Sequence, residues 1–432
     1  MPKITFIGAG STVFAKNVLG DCMLTPSLCE SEIALYDIDA GRLKESETML
    51  NAINSNCNGG KAKIIAYDDP RKALSGANYV VNAIQVGGYD PCTITDFEIP
   101  KKYGLRQTIA DTLGIGGIFR TLRTLPVMLD YAKIMEEVCP DAWFLNYTNP
   151  MAMLTGGMQR YTGVKTVGLC HSVQVCAKSI LELLKMPTDN ISYKIAGINH
   201  MAWLLEITRN GEDLYPEIKK RAAELTEPHD NMVRLEIMKQ FGYYVTESSE
   251  HNAEYMPYFI KDKYPELIER FNIPLDEYPR RCINQIEGWK KRGADLVNNP
   301  KLDHERTHEY ASYILEAMET NVPYKIGGNV INNGLIDNLP AEACVEVPCL
   351  VDATGVNPCR IGRLPEQCAA LNRTNINVQL LTIEAVMSRK KENIYYAAML
   401  DPHTSAELSI DDIKHMCDDL IEAHGDWLPK FN

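Results

Sequence analysis

Residues 3–14, KITFIGAGSTVF, decide how the rest of the chain is read. Residues 3–7 form an apolar run of strand length, and Gly8-Ala9-Gly10-Ser11-Thr12 then reads as a tight turn into a helix predicted to reach about Leu28. A strand that ends in glycines and passes at once into a helix is the opening of a dinucleotide-binding βαβ unit. Gly8 and Gly10 would let the backbone approach a pyrophosphate, whose charge meets the helix N-terminus. The third glycine of that fingerprint is missing, because Val13 and Phe14 stand in its place. Asp37 closes the second predicted strand, 32–37. An acid there accepts from ribose hydroxyls and repels an extra 2′-phosphate, which favours NAD over NADP. The competing reading is an ordinary βα turn, with Asp37 capping a helix.

Working outward, strands are expected at 62–67, 78–86, 142–147 and 165–170, with helices between them. Continuous apolar strands alternating with helices predict an α/β fold with a mostly parallel sheet covered on both faces. After about residue 190 the pattern changes to strands such as 201–208, long polar helices, and a loop-rich segment from 323 to 365. Residues 1–190 therefore read as one domain and 191–432 as a second, mixed α+β domain. With no low-complexity linker between them, their interface should be tight.

The 432 residues carry 44 Lys and Arg against 57 Asp and Glu, a net charge of −13, and 45% are apolar. This balance repels polyphosphate, so nucleic acid and anionic membranes are poor partners and small molecules are better ones. The amino-terminal apolar run is too short for a secretory signal, and no stretch approaches the length of a spanning helix, so a cytoplasmic protein is expected. The thirteen cysteines lack framework spacing and read mostly as reduced core residues.

Several polar clusters fall at predicted strand ends, where open parallel sheets bind their ligands. Asp111-Thr112-Leu113-Gly114-Ile115-Gly116-Gly117 precedes a helix with Arg120 and Arg123, and is either a ligand-approach loop or a flexible one. Asn146-Tyr147-Thr148-Asn149-Pro150 offers amides to hydroxyls, or is an Asn-Pro turn. Cys170-His171-Ser172-Val173 and Asn199-His200 supply a thiol and imidazoles that could bind a divalent ion, although such residues are more often packed or exposed. The run Ser249-Glu250-His251-Asn252-Ala253-Glu254-Tyr255 reads as a loop, and nothing local marks Tyr255 as a base.

Taken together, FIGAGST (6–12), DTLGIGG (111–117), NYTNP (146–150), CHSV (170–173), GINH (197–200), SSEHNAEY (248–255) and NVINNGLIDNLPAEACVEVP (329–348) resemble glycoside hydrolase family 4 over essentially the whole chain. These are NAD- and metal-dependent glycosidases with a Rossmann-like, lactate/malate-dehydrogenase-like fold. The resemblance implies that Gly8, Gly10, Ser11, Thr12 and Asp37 bind NAD and that Cys170 and His200 hold a Mn²⁺-type ion. It further implies that Asn149 binds the sugar, that Tyr255 is the base and that Asp111 raises its basicity. The mechanism it implies is oxidation at C3 of the sugar, loss of the C2 proton to Tyr255, elimination at C1, addition of water, and reduction at C3. Phospho-α-glucosidase members carry Asp after the metal-binding cysteine; here His171 stands there and is the candidate proton donor. CHSV resembles the α-galactosidase branch, and the loop from Gly87 to Pro100 contains no Lys or Arg for a sugar phosphate. An unphosphorylated α-galactoside of the melibiose type is therefore expected, as is a homo-oligomer. An α-glucosidase or α-glycuronidase of the same family, or a malate/lactate-type dehydrogenase that releases NADH, are the alternatives.

Overall fold

The computed structural model describes residues 1–432. Thirteen strands join one sheet: β1 (Lys3–Ile7), β2 (Glu32–Tyr36), β3 (Lys63–Tyr67), β4 (Tyr79–Asn82), β5 (Trp143–Asn146), β6 (Lys165–Leu169), β7 (Ile191–Ile198), β8 (Met201–Arg209), β9 (Glu212–Asp213), β10 (Tyr244–Val245), β11 (Tyr324–Ile331), β12 (Cys344–Asp352) and β13 (Gly355–Pro358). The order along it is β10-β8-β7-β12-β11-β6-β5-β4-β1-β2-β3, with β9 on β8 and β13 on β12. From β6 to β3 every pairing is parallel, in the order of a doubly wound dinucleotide fold. From β6 outward the pairings are antiparallel.

The parallel half forms as its sequence suggests. In β1 the residues after Lys3 are buried on both faces because helices cover both sides, which is why the run is apolar without alternation. The first helix, Thr12–Leu24, stops short of Leu28, since Pro26 forces Thr25 into an extended conformation (φ −91°, ψ 119°). Val13 stands where a third glycine would sit and is exposed, and the ring of the next residue, Phe14, meets Phe6 and Tyr147 edge-on at 6.0 and 5.0 Å. Strand β4 ends at Asn82, whose carboxamide turns inward to Asn146 and Thr148.

The segment 323–365 differs from its expected loop character, because it contributes β11, β12 and β13. Its glycines are strand residues chosen for closeness. A Cβ on Gly327 would fall 2.7 Å from Val173, and one on Gly328 would fall 2.8 Å from the Cys349 sulfur. Strand β11 closes onto β6 through Gly328 opposite Leu169 and Asn329 opposite Gly168, so the sheet is continuous across residue 190. Ninety-two buried residues from both halves form the main hydrophobic core.

Candidate active site

The functional candidates gather beyond the carboxyl ends of β1, β2, β5 and β6. Gly8, at φ +85°, donates its N–H to the Tyr36 carbonyl, and a Cβ there would sit 2.7 Å from the Ala83 carbonyl oxygen. Gly10 donates to the Asp37 carboxylate at 2.6 Å, and its own Cβ would collide with that carboxylate. Ser11 donates its hydroxyl to the Gly8 carbonyl, and Thr12 opens the helix. This turn therefore presents bare backbone and an acid at a helix N-terminus, the form a dinucleotide pyrophosphate and ribose require.

Cys170 leaves β6 and occupies the N-cap position of helix His171–Leu183. His200 is the second residue of the two-residue turn joining β7 to β8, and takes φ +62° there. Glu247 follows β10, itself paired to β8 through Val245 opposite Trp203. Sulfur, imidazole and carboxylate donors of Cys170, His200 and Glu247 lie within 4.8 Å of one another. Thiolate, imidazole and carboxylate together suit a divalent ion. Nδ1 of the buried His200 has no hydrogen-bond partner. Burial pushes the Cys170 thiol well up, and the carboxylates of Glu346 and Glu247 add to this.

Asp111 lies in the same crevice. Its carboxylate accepts from the Thr112 hydroxyl at 2.7 Å and from the Asn149 amide at 3.4 Å, and stands 3.7 Å from His251 Nε2. Burial opposes its ionisation, but His251, Arg120 and the Thr112 hydroxyl outweigh it and hold Asp111 well below the usual carboxylate range. Tyr255 is buried to 1% exposure and donates its hydroxyl to the Asn199 carbonyl at 3.2 Å. Burial raises the phenol far above its ordinary value, with Asp111 and Glu247 next in effect. The run expected to be a loop there is a short helix, Ser249–Glu254, with Tyr255 at its C-cap. The glycines of 111–117 are likewise not a loose loop. Gly116 and Gly117 let the helix Gly114–Val138 lie directly on the backbone of Ala110 and Thr112.

His171 is half-exposed and pairs through Nε2 with Glu309 at 2.7 Å, which raises its pKa against the lowering effect of burial. Arg123 is a buried structural group, forked onto Asp96. Arg120 meets Tyr278 at 3.1 Å. Glu247 and Glu309 lie outside every motif of the sequence, and His251 and Glu346 lie within motifs that give them no role of their own. Glu346 carries a signal in the sequence, since an acid inside CVEVP interrupts a continuous apolar run. Glu247 and His251 stand four apart and meet on the helix entry, whereas Glu309 reaches His171 only through the fold.

The sheet has the architecture of the dehydrogenase fold. Malate dehydrogenase from Plasmodium falciparum matches it over 90% of this chain and 99% of its own, with TM-score 0.55 and 13% identity. The sequence narrows that class: residues 3–186 match the Family 4 glycosyl hydrolase profile and residues 195–404 match the Family 4 glycosyl hydrolase C-terminal domain, and the chain belongs to this family. An alpha-galactosidase of Bacillus subtilis (strain 168) is 66% identical over 432 residues, the full length of both chains. A 6-phospho-alpha-glucosidase from gut microorganisms, solved in complex with NAD and Mn²⁺, shares the fold over 100% of each chain, with TM-score 0.82 and 20% identity.

Proposed function

We propose that the chain hydrolyses unphosphorylated α-galactosides of the melibiose type, with NAD and a divalent ion such as Mn²⁺ as its cofactors. The observation that carries this reading is the convergence of a Cys170–His200 donor pair with Tyr255 and Asp111 in the crevice fed by the glycine turn. The full-length identity with an alpha-galactosidase supports the sugar.

Gly8, Gly10, Ser11 and Thr12 would hold the pyrophosphate, and Asp37 would exchange its bond from Gly10 for the ribose hydroxyls. Cys170 and His200 would hold the ion. When bound, NAD supplies a reversible hydride acceptor for C3 of the sugar, and the ion supplies charge that stabilises its oxygens and favours ionised Tyr255. Asn149 orients a sugar hydroxyl. The Tyr255 oxygen takes the proton from C2, and Asp111, anionic nearby, raises the affinity of that phenol for it. His171 keeps Nε2 against Glu309, leaving Nδ1 to protonate the departing aglycone oxygen at C1.

In this reading residues 1–190 carry the cofactor and 191–432 carry the substrate side. Both halves contribute to the ion, Cys170 from the first and His200 from the second. A cytoplasmic homo-oligomer also belongs to the proposal, by family resemblance; no helix of the chain is long and apolar enough to cross a membrane. The test is an aryl α-galactoside assay with and without NAD⁺ and Mn²⁺. Hydrolysis should need both and produce no net NADH. Full activity after chelation and cofactor removal would overturn the mechanism, and stoichiometric NADH would point to a dehydrogenase.

A further inference from the structure

Glu247 occupies a backbone conformation that an ordinary loop residue avoids. Its φ is +66°, left-handed for a side chain with a Cβ, and such strain persists only where the surroundings impose it. The surroundings do so from both sides. Thr246 is tied to β8 by two bonds with Ala202: its N–H donates to the Ala202 carbonyl at 2.8 Å, and its hydroxyl accepts the Ala202 N–H at 3.1 Å. On the other side, the Asn252 amide donates to the carbonyls of Thr246 and Ser248. Ala202 is two residues from His200, so this clamp delivers the Glu247 carboxylate to that imidazole.

The approach is close without being a hydrogen bond. Glu247 Oε2 stands 3.4 Å from His200 Nε2, beyond the usual 2.7–3.2 Å. Donors bound to one ion at about 2.0–2.2 Å keep roughly 3.0–3.5 Å from each other, and the 3.4 Å here falls in that range as well as in that of an ion pair. The other oxygen is held separately: Oε1 accepts the Ser248 N–H at 3.2 Å and lies 3.7 Å from His251 Nδ1.

We infer that Glu247 is the third protein ligand of the divalent ion, completing a Cys170–His200–Glu247 set whose remaining positions face the sugar. The inference deepens the metal-site reading above and rests on it. Thiolate and carboxylate together balance the charge of a divalent cation, and the carboxylate adds a hard oxygen that favours Mn²⁺. A second consequence is a chain of groups running from the ion through Glu247 and His251 to Asp111.

The experiment is Mn²⁺ titration of NAD-loaded protein, following free Mn²⁺ by electron paramagnetic resonance, with circular dichroism and NAD⁺ affinity as checks on folding. Glu247→Gln should raise the Kd for Mn²⁺ by about tenfold or more, while NAD⁺ binding stays near wild type. Cys170→Ser should also weaken Mn²⁺. If Cys170→Ser weakens it and Glu247→Gln leaves Kd within about twofold, Glu247 is not a ligand and the inference falls alone. If neither variant changes it, the metal-site reading falls as well. Should Glu247→Gln fail to fold, a crystal structure of the Mn²⁺-loaded wild type decides. A Glu247 oxygen within about 2.0–2.5 Å of the ion supports the assignment, and one beyond about 3 Å overturns it.

Discussion

Tyr255 shows what a single residue's surroundings add to its letter. In sequence it ends a polar run; in the fold it is sealed beneath the Asn199–His200 turn, with its hydroxyl on the Asn199 carbonyl. Tyr255→Phe should lower kcat by about 10²–10⁴, leave Mn²⁺ affinity intact and slow solvent-deuterium exchange at C2 of the sugar. Near-normal exchange would reject the base assignment. Its neighbour Glu254 supports the other side of the crevice. Its carboxylate accepts the backbone N–H groups of Thr108, Ile109 and Ala110, fixing the irregular segment that leads into Asp111. Burial outweighs those three bonds and lifts Glu254 from 4.5 to about 7. An acid whose folded value exceeds its unfolded one binds more protons when folded, so its contribution to stability is present below about 4.5 and lost as pH rises towards 7. Glu254→Gln should flatten that slope in thermal melts, and should cost about 1–3 kcal/mol because an amide N–H then faces backbone donors. Unchanged melting at every pH would contradict both statements.

Among the elements, the helix Thr12–Leu24 does more than open the cofactor turn. Asp21, fully buried on it, accepts from the Thr307 N–H at 2.8 Å and the Thr307 hydroxyl at 2.6 Å, and pairs with His304 at 2.7 Å. This latch fixes the segment that carries Glu309, and therefore the partner of His171. Asp21→Asn should destabilise the protein by about 1–3 kcal/mol, and should speed amide exchange across 303–309 while exchange in β1 to β6 stays unchanged. Uniform protection would refute the latch. The elements also show what the sequence could convey. Strands β1, β2, β5 and β6 were legible because parallel strands buried on both faces are short continuous apolar runs. Strands β11 and β12 were not, because glycines that admit close neighbours, and a buried Asn329 and Glu346 that face the crevice, carry the same letters as turns. The Cys170–His200 pair could be suspected from motif order alone, whereas Glu247 and Glu309 reach the site only through contacts between distant segments.

For the whole molecule, specificity and cooperativity are the measurable properties. The segment from Gly87 to Pro100, expected as a loop but helical over Gly88–Thr93 and Ile94–Lys102, carries no Lys or Arg, and Arg123 nearby is spent on Asp96. Unphosphorylated α-galactosides should therefore be turned over with higher kcat/KM than their 6-phospho counterparts; the reverse order would overturn that substrate reading. The continuous sheet has a further implication. Where two modules meet through a surface, inheritance can trade one for another and let the seam adjust later. Here the seam includes the pairing of β6 with β11, Gly328 opposite Leu169 and Asn329 opposite Gly168, reinforced by the Asn329 side-chain amide donating to the Gly168 carbonyl, between segments about 160 residues apart. A recombinant that joins residues 1–190 of one relative to the remainder of another must preserve that register and the glycines that permit it. The lineage is therefore expected to diversify by point substitution around the crevice rather than by exchange of halves.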